Sequence, residues 1–230
     1  MPIFMRRIWS HEQLSLPENH LFVSERFQYP EDREIYSAAK VKALESLLVE
    51  KGIITSETVD KVLNYFEKEM GPFNGAKLVA KAWVDPEFKA RLLKDTPAAI
   101  AEMNFPRGMA GAEGENMEAV ENTQTVHNLI VCTLCSCYPW PILGLPPYWY
   151  KDPTFRARAI REPRKVLQEF GLTFADDVEI RVWDSSAQIR WFVIPEKPPG
   201  TEGLSEAQLA PLVTPESMMG SARAKSPSSV

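Results

Sequence analysis

The sequence predicts an α+β fold, in which a helical N-terminal extension precedes a layered core of mixed helices and strands. Two observations lead to this prediction. Apolar residues recur at helical spacing between residues 37 and 71, whereas residues 178–184 alternate between apolar and polar side chains as in a half-buried strand. We therefore divide the chain into an irregular arm (1–36), a helical segment (37–117), an α/β core (118–220) and a disordered tail (221–230).

The composition argues against two classes of function. Of the 230 residues, 44% are hydrophobic and 25% are charged, which is ordinary for a globular protein, and the net charge is −5. No cluster of Lys and Arg stands out, so nucleic acid is not expected as a partner. No run of about 18 apolar residues and no apolar signal segment is present, so we expect no membrane span and a cytoplasmic location.

Two helices are expected in the N-terminal part. The first ends at Gly52, and the second runs from a cap at Thr55 or Ser56 to Gly71. Each helix has an apolar stripe, which either the chain's own domain or a partner covers. The stripes consist of Val41, Leu44, Leu47 and Leu48 in the first helix, and Val59, Val62, Leu63 and Phe66 in the second.

Two later helices have the same start signal, an aspartate before a proline. Asp85 and Asp152 are expected to cap helices that begin at the following prolines. Pro163 must interrupt the second of these helices, because proline lacks an amide hydrogen and clashes with the preceding turn, and Gly171 is the expected stop. A capping box at Ser205 predicts a last short helix.

Three strands are expected in the core. Residues 128–131 form a short apolar run, and residues 178–184 alternate strictly. Residues 185–187 are typical of a turn, so we expect residues 189–194 to return as the partner strand of a hairpin.

All three cysteines lie within six residues, at Cys132, Cys135 and Cys137. An odd, clustered set is a poor disulfide framework, and in a reducing compartment it is more typical of metal or redox chemistry. The surrounding residues 122–150 contain no Asp, Glu, Lys or Arg. A buried core segment would explain the missing charge, but not three thiols at its centre.

The spacing of these residues suits a chelate, and we call residues 132–137 the claw. The Cys135 sulfur, the amide nitrogens of Ser136 and Cys137, and the Cys137 sulfur would close adjacent five- and six-membered rings around one metal ion. The Cys132 sulfur would add an axial ligand and leave a sixth position open. Because amides bind only after losing their protons, a trivalent low-spin ion is the natural candidate.

Other interpretations of the three thiols stay open at this point. Zinc prefers four separate tetrahedral ligands, and no fourth cysteine or pair of histidines is near in the sequence. Half of a zinc site at a subunit interface, or a redox-sensing thiol group, would also use a C-x-x-C-x-C pattern.

The surrounding sequence resembles the α subunit of cobalt-type nitrile hydratases. The string VCTLCSCYPWPILGLPPYWYK is similar to the metal-binding signature of that family. The resemblance covers roughly residues 37–220 and extends to GAKLVAKAWVDPEFK (75–89), Arg156 and Arg158, REPRKVL (161–167), the 178–184 strand, PGTEG (199–203) and LVT (212–214).

The resemblance implies an enzyme that hydrates nitriles to amides at a low-spin Co³⁺ centre, one per chain, with iron a less favoured metal. It implies an axial Cys132 thiolate, Cys135 as a sulfinic acid and Cys137 as a sulfenic acid. Thr133 stands where the iron enzymes usually have serine, which points to cobalt. It also implies a β subunit in a heterodimer or heterotetramer, an activator protein for maturation, and a small nitrile as substrate.

The resemblance assigns further site residues. Cys137 and Ser136 are expected to be catalytic together with Arg190, which matches a family arginine near the metal but could also be an ordinary strand residue. Trp140 matches a pocket-lining aromatic, or is core. Glu113 stands where many relatives have glutamine, which puts the polarity of the pocket in doubt. Asp184 either orients neighbouring groups or caps the turn.

Two other functions would use a similar set of thiols. The metal subunit of thiocyanate hydrolase has a similar claw, but an arginine follows its Tyr-Pro pair, whereas Trp140 here forms an apolar wall better suited to an uncharged nitrile. A non-catalytic metal or redox module would keep the thiols without needing a pocket.

Overall fold

The computed structural model describes residues 31–68, 71–105, 117–134 and 137–227. The chain divides into two compact units, Met1–Lys68 and Glu69–Val230. The described part of the first unit contains two helices, α1 (Glu31–Glu50) and α2 (Ser56–Lys68). No helix in these ranges is long and apolar enough to cross a membrane.

Both N-terminal helices were predicted, with different limits. The first begins at Glu31, before the predicted end of the irregular arm at residue 36, so that boundary is wrong for residues 31–36. Gly52 follows the first helix with φ 67, and the Thr55 hydroxyl accepts the Thr58 amide 3.1 Å away at the start of the second. The predicted apolar stripe is exposed at Val41 (51%), Leu44 (56%) and Leu47 (46%).

The second unit has a mixed helix and strand architecture, which confirms the predicted fold class. Its helices are α3 (Pro72–Val84), α4 (Pro86–Lys94), α5 (Thr96–Glu102), α6 (Trp140–Leu143), α7 (Pro153–Arg161), α8 (Pro163–Glu169), α9 (Glu206–Leu209) and α10 (Pro215–Met219), with 3₁₀ turns at Tyr148–Lys151 and Ala210–Leu212. Its strands are β1 (Met117–Glu121), β2 (Val126–Val131), β3 (Glu179–Asp184) and β4 (Arg190–Ile194).

The predicted start and stop signals act as expected. The carboxylates of Asp85 and Asp152 accept the amides of Phe88 at 2.8 Å and Phe155 at 2.9 Å. The break predicted at Pro163 is present, since α7 ends at Arg161 and α8 begins at Pro163. The capping box at Ser205 is also present.

The strand pairing differs from the prediction. The strands after residues 178 and 189 both exist, but they do not form a hairpin: β3 pairs in parallel with β2, and β4 pairs in parallel with β1. Strand β1, the partner of β4, was not predicted. Five of the six β2 residues are buried, as expected for a strand with a parallel partner and covered faces.

The two strand pairs run in opposite directions, because residues 122–125 join β1 to β2 and residues 185–189 join β3 to β4. The ends of β2 and β3 therefore lie beside the starts of β1 and β4. Trp191 at the start of β4 confirms this, since its amide donates to Ser185 Oγ at 3.1 Å and its ring lies 4.4 Å from that of Trp183. Cys132, directly after β2, is placed at this end.

The C-terminal segment is ordered further than predicted. Residues 221–227 are described, and the Lys225 amide donates to the Leu212 carbonyl at 2.8 Å, while Ser221 is buried. The predicted disordered tail is therefore wrong up to residue 227; residues 228–230 lie outside the described ranges. The small polar composition did not reveal this order, because the backbone bonds are made to Leu212 in the preceding 3₁₀ turn and to Glu216 in α10, a helix that was not predicted.

Gly220 fixes the end of α10 against β2. Its φ of 80 lies in the left-handed region, and a Cβ there would collide with the carbonyl of Asn128. The Gly220 carbonyl accepts the Nε2 hydrogen of buried His127 at 2.8 Å, while Asn122 donates to the other ring nitrogen at 3.1 Å. The ring is therefore neutral, and burial with the nearby Arg223 lowers the pKa of His127 to about 4.

We expect His127 to make the protein less stable as the pH falls from about 6.5 to about 4. The unfolded chain takes up a proton on this ring in that range and the folded chain does not, which costs up to about 3 kcal/mol of folding free energy. His127→Gln keeps a donor for Gly220 but cannot be protonated. Urea unfolding should show a weaker loss of stability over this pH range in the variant; identical pH profiles would contradict the assignment.

Candidate metal centre

Two of the three claw cysteines lie in the described ranges. Cys132 is fully buried at the end of β2, Cys137 is half-buried, and neither forms a disulfide. The Cys137 amide nitrogen lies 3.4 Å from the Cys132 sulfur. Cys135 and Ser136 lie outside the described residues, and among the residues that are described no group of three potential metal ligands occurs.

These positions fit a metal ion of the expected kind. Two ligands at right angles on one metal, with metal–sulfur and metal–nitrogen bonds of about 2.3 and 2.0 Å, are about 3 Å apart. The predicted axial sulfur of Cys132 and the predicted equatorial nitrogen of Cys137 have close to that separation.

Asp184 fixes the first residue of the loop. Its carboxylate accepts the Thr133 backbone amide at 2.9 Å through one oxygen and the Thr133 hydroxyl through the other. The register explains why these residues meet, since Val131 pairs with Asp184 at the end of the parallel ladder. The hypothesis that Asp184 orients neighbouring groups is confirmed; its target is the residue next to the buried cysteine.

Tyr150 reaches the last residue of the claw. Its ring is buried, and its hydroxyl donates to the Cys137 carbonyl at 2.8 Å. Burial raises the pKa of Tyr150, the neighbouring thiols of Cys132 and Cys137 add to this, and the Ser185 side chain hydrogen-bonds the same phenol. Tyr150 and Ser185 were not predicted as site residues. The one signal was the absence of charged residues in 122–150, since a buried phenol there must then find a neutral polar partner.

Tyr138 packs below this region. Its ring meets that of Tyr150 edge to face at 5.2 Å, and its hydroxyl lies 3.4 Å from the Met219 sulfur. Burial raises the pKa of Tyr138 strongly, so the group is neutral. The two neutral phenols of Tyr138 and Tyr150 therefore form an uncharged pair next to the claw.

The other predicted site residues are placed as follows. Arg190 begins β4, at the same end of the strands as the claw, and is half-buried without a side-chain hydrogen bond or ion pair to any described residue. Trp140 begins α6 directly after the claw and is 45% exposed, so the alternative of ordinary core is wrong. Leu134 in the loop is 87% exposed. Glu113 lies outside the described residues.

A cavity of about 500 Å³ lies elsewhere, at the opposite end of the strands. It is lined by the turn before β2, by His127, and by the segments after β4 and α10. None of the claw residues that the structure describes (132–134 and 137) lines it, so we do not assign the predicted chemistry to this cavity.

Comparison with known proteins places the chain in a family. The family model described as "Nitrile hydratase, alpha chain" matches residues 35–222. The chain is 58% identical over 183 residues to a "Low-molecular weight cobalt-containing nitrile hydratase subunit alpha" of Rhodococcus rhodochrous, covering 80% of this chain and 86% of the relative. It is 40% identical to the "Thiocyanate hydrolase subunit gamma" of Thiobacillus thioparus, over 77% of this chain and 76% of that protein.

A solved structure has the same fold. A double mutant of the Fe-type nitrile hydratase of Comamonas testosteroni Ni1 matches with a TM-score of 0.70 and 43% identity, over 84% of this chain and 92% of that chain. The family match spans most of the described residues, including both strand pairs and the claw. The chain belongs to the nitrile hydratase alpha-chain family.

Proposed function

We propose that this chain is the metal-carrying α subunit of a nitrile hydratase that converts nitriles to amides. The observation that carries the proposal is the 3.4 Å approach of the Cys137 amide nitrogen to the buried Cys132 sulfur, directly after β2. Cys132, Cys135 and Cys137 would supply three sulfurs, and Ser136 and Cys137 two amide nitrogens.

We favour one cobalt ion per chain, as Co³⁺, over iron. The relative with 58% identity is named as cobalt-containing, whereas the solved structure with 43% identity is of the Fe type. Thr133 adds to the case for cobalt, as in the family pattern. In this chain its hydroxyl is bound by Asp184, so the residue that distinguishes the two metals is itself held in place.

The reaction adds water across the carbon–nitrogen triple bond, so that the carbon gains oxygen and the nitrogen gains two protons. When bound, the metal supplies a Lewis acid that polarises the nitrile carbon. Oxidised Cys137 either removes a proton from an attacking water, or attacks that carbon through its own oxygen, which a water molecule then replaces at the sulfur as the amide leaves. Trp140, exposed beside the claw, offers an apolar surface for the organic part of the substrate. Glu113 is proposed to border the same pocket.

The oxidised sulfurs require cationic partners, since buried anionic oxygens are costly without charge-assisted hydrogen bonds. Arg190 is one cation that the fold brings to the claw end of the strands. Residues 122–150 supply no cation of their own. We therefore propose that a β subunit contributes further arginines and that the site is completed at the interface.

Exposed apolar residues support a partner subunit. Leu134 is 87% exposed, Trp140 is 45% exposed, and the first helix exposes Val41, Leu44 and Leu47. A heterodimer or heterotetramer with the β subunit would cover such surfaces. An activator protein that delivers the metal, and a cytoplasmic location, complete the proposal.

Thiocyanate hydrolase is the second candidate, since its gamma subunit is 40% identical to this chain. Thiocyanate is an anion and would favour a cation at the pocket wall. Trp140 presents an apolar ring at that position instead. An uncharged nitrile therefore suits this chain better. A non-catalytic metal or redox module would catalyse neither reaction.

The first test of this proposal is metal content with activity. After co-expression with a β subunit and an activator, with cobalt and iron both supplied, elemental analysis should find one cobalt per α chain and the complex should hydrate nitriles. Cys132→Ser should lose the metal, because the buried axial sulfur is gone. Stoichiometric zinc without cobalt or iron would contradict the proposal, and full activity of the cobalt-loaded chain alone would contradict the shared site.

The second test is the pattern of cysteine oxidation. We expect oxygen on Cys135 and Cys137 and none on Cys132, which is fully buried directly after β2. Peptide mass spectrometry of the active complex under non-reducing conditions measures this directly. Unmodified Cys135 and Cys137 in a fully active sample would refute it, as would an oxidised Cys132.

A further inference from the structure

Tyr150 stands at the centre of a hydrogen-bond chain that ends on the claw. The Trp191 amide donates to Ser185 Oγ at 3.1 Å. The Ser185 side chain hydrogen-bonds the Tyr150 phenol, and Tyr150 donates to the Cys137 carbonyl at 2.8 Å. Ser185 and Tyr150 are both buried, with exposed fractions of 2% and 0%.

Donors and acceptors in this chain allow one direction only. The Trp191 amide can only donate and the Cys137 carbonyl can only accept. Ser185 therefore passes its hydroxyl hydrogen to Tyr150, which passes its own to Cys137. Such chains strengthen each member in a low-dielectric interior. The start of β4, where Arg190 lies, is thereby connected to the last residue of the claw.

Two contacts fix the backbone of Cys137, one at the peptide before it and one at the peptide after it. The peptide before Cys137 is oriented through its nitrogen, which lies 3.4 Å from the Cys132 sulfur. The peptide after it is oriented by its carbonyl, which Tyr150 holds. Because peptides are planar, φ and ψ of Cys137 are its only soft backbone angles, and both are now constrained. The direction of its Cα–Cβ bond follows.

We propose that Tyr150 is a positioning residue for Cys137: its hydroxyl aims the sulfur of the claw's last cysteine. The inference rests on the proposed function, in which that sulfur carries the reactive oxygen. Packing alone does not account for the hydroxyl, since the ring already makes edge contacts with Tyr138 at 5.2 Å and Trp149 at 6.2 Å. A phenylalanine would keep those contacts and lose only the hydrogen bonds of the hydroxyl, to Cys137 and from Ser185.

The test variant is Tyr150→Phe in the complex with its β subunit. Ser185→Ala is a second variant, because it breaks the same chain one bond earlier and leaves Tyr150 itself in place. Thr201→Val is the matched control, since Thr201 is also buried and donates its hydroxyl to a backbone carbonyl, that of Pro198 at 2.5 Å, outside the claw.

The hydrogen bond can be observed independently of activity. Cys137–Tyr138 is the one place in the sequence where tyrosine follows cysteine, so ¹³C-carbonyl cysteine combined with ¹⁵N tyrosine labels a single peptide bond. The NMR signal of the Cys137 carbonyl should move upfield in Tyr150→Phe, and less so in Ser185→Ala. It should not move in Thr201→Val.

The expected change in the kinetics follows from a misplaced Cys137 sulfur. Per bound cobalt, kcat should fall about ten- to a hundred-fold in Tyr150→Phe, with KM nearly unchanged, and should stay at the wild-type value in Thr201→Val. The inference would be overturned if Tyr150→Phe kept both the wild-type carbonyl signal and the wild-type kcat. It would also be overturned if Thr201→Val lost as much of its kcat as Tyr150→Phe. If the wild-type complex is found to contain no cobalt, the proposed function is overturned instead. The carbonyl signal would then still show whether Tyr150 holds Cys137.

Discussion

The parallel pairing of β2 with β3 determines where the cysteine loop forms. The register brings Asp184 opposite Val131, one residue before the buried Cys132. At that point the carboxylate of Asp184 accepts both donors of Thr133. A shift of one residue would turn these side chains to the opposite face, so the loop depends on the register of this ladder.

The claw is held at both of its ends by neighbouring segments. Asp184 binds Thr133 at its start, and Tyr150 binds Cys137 at its end. Both holding residues connect to the same loop, because Ser185 follows Asp184 and hydrogen-bonds Tyr150. A rigid frame of this kind suits a chelate in which backbone amides are ligands, since such ligands cannot be repositioned by side-chain rotation.

Local signals in the sequence predicted the helices and strands but not their pairing. Asp85, Asp152 and Pro163 act over a few residues, so their effects could be predicted from neighbours alone. The strands after residues 178 and 189 looked like a hairpin because they are close in sequence. The short strand β1, which β4 joins instead, carries two glutamates and gave no clear period-2 signal.

The proposed metal ligands could be named from the sequence because chelation is also local, and the resemblance supplied their chemistry. The holding residues could not be predicted in the same way. Tyr150 and Ser185 meet Cys137 only after the 3₁₀ turn and the β3 end are brought together by the fold. The ordered segment up to residue 227 was missed for the same reason, since its partners Leu212 and Glu216 belong to other elements.

The central claim is that the end of β3 organises the metal site, and metal affinity of an Asp184→Asn variant tests it most directly. Asparagine keeps the size of the side chain but turns one acceptor of Thr133 into a donor. Competition for cobalt against a chelator should show about a ten- to a hundred-fold loss of affinity relative to wild type. Asp177→Asn, an exposed aspartate in the turn before β3, should bind as wild type does. Equal affinities for the wild type and the Asp184→Asn variant would contradict the account.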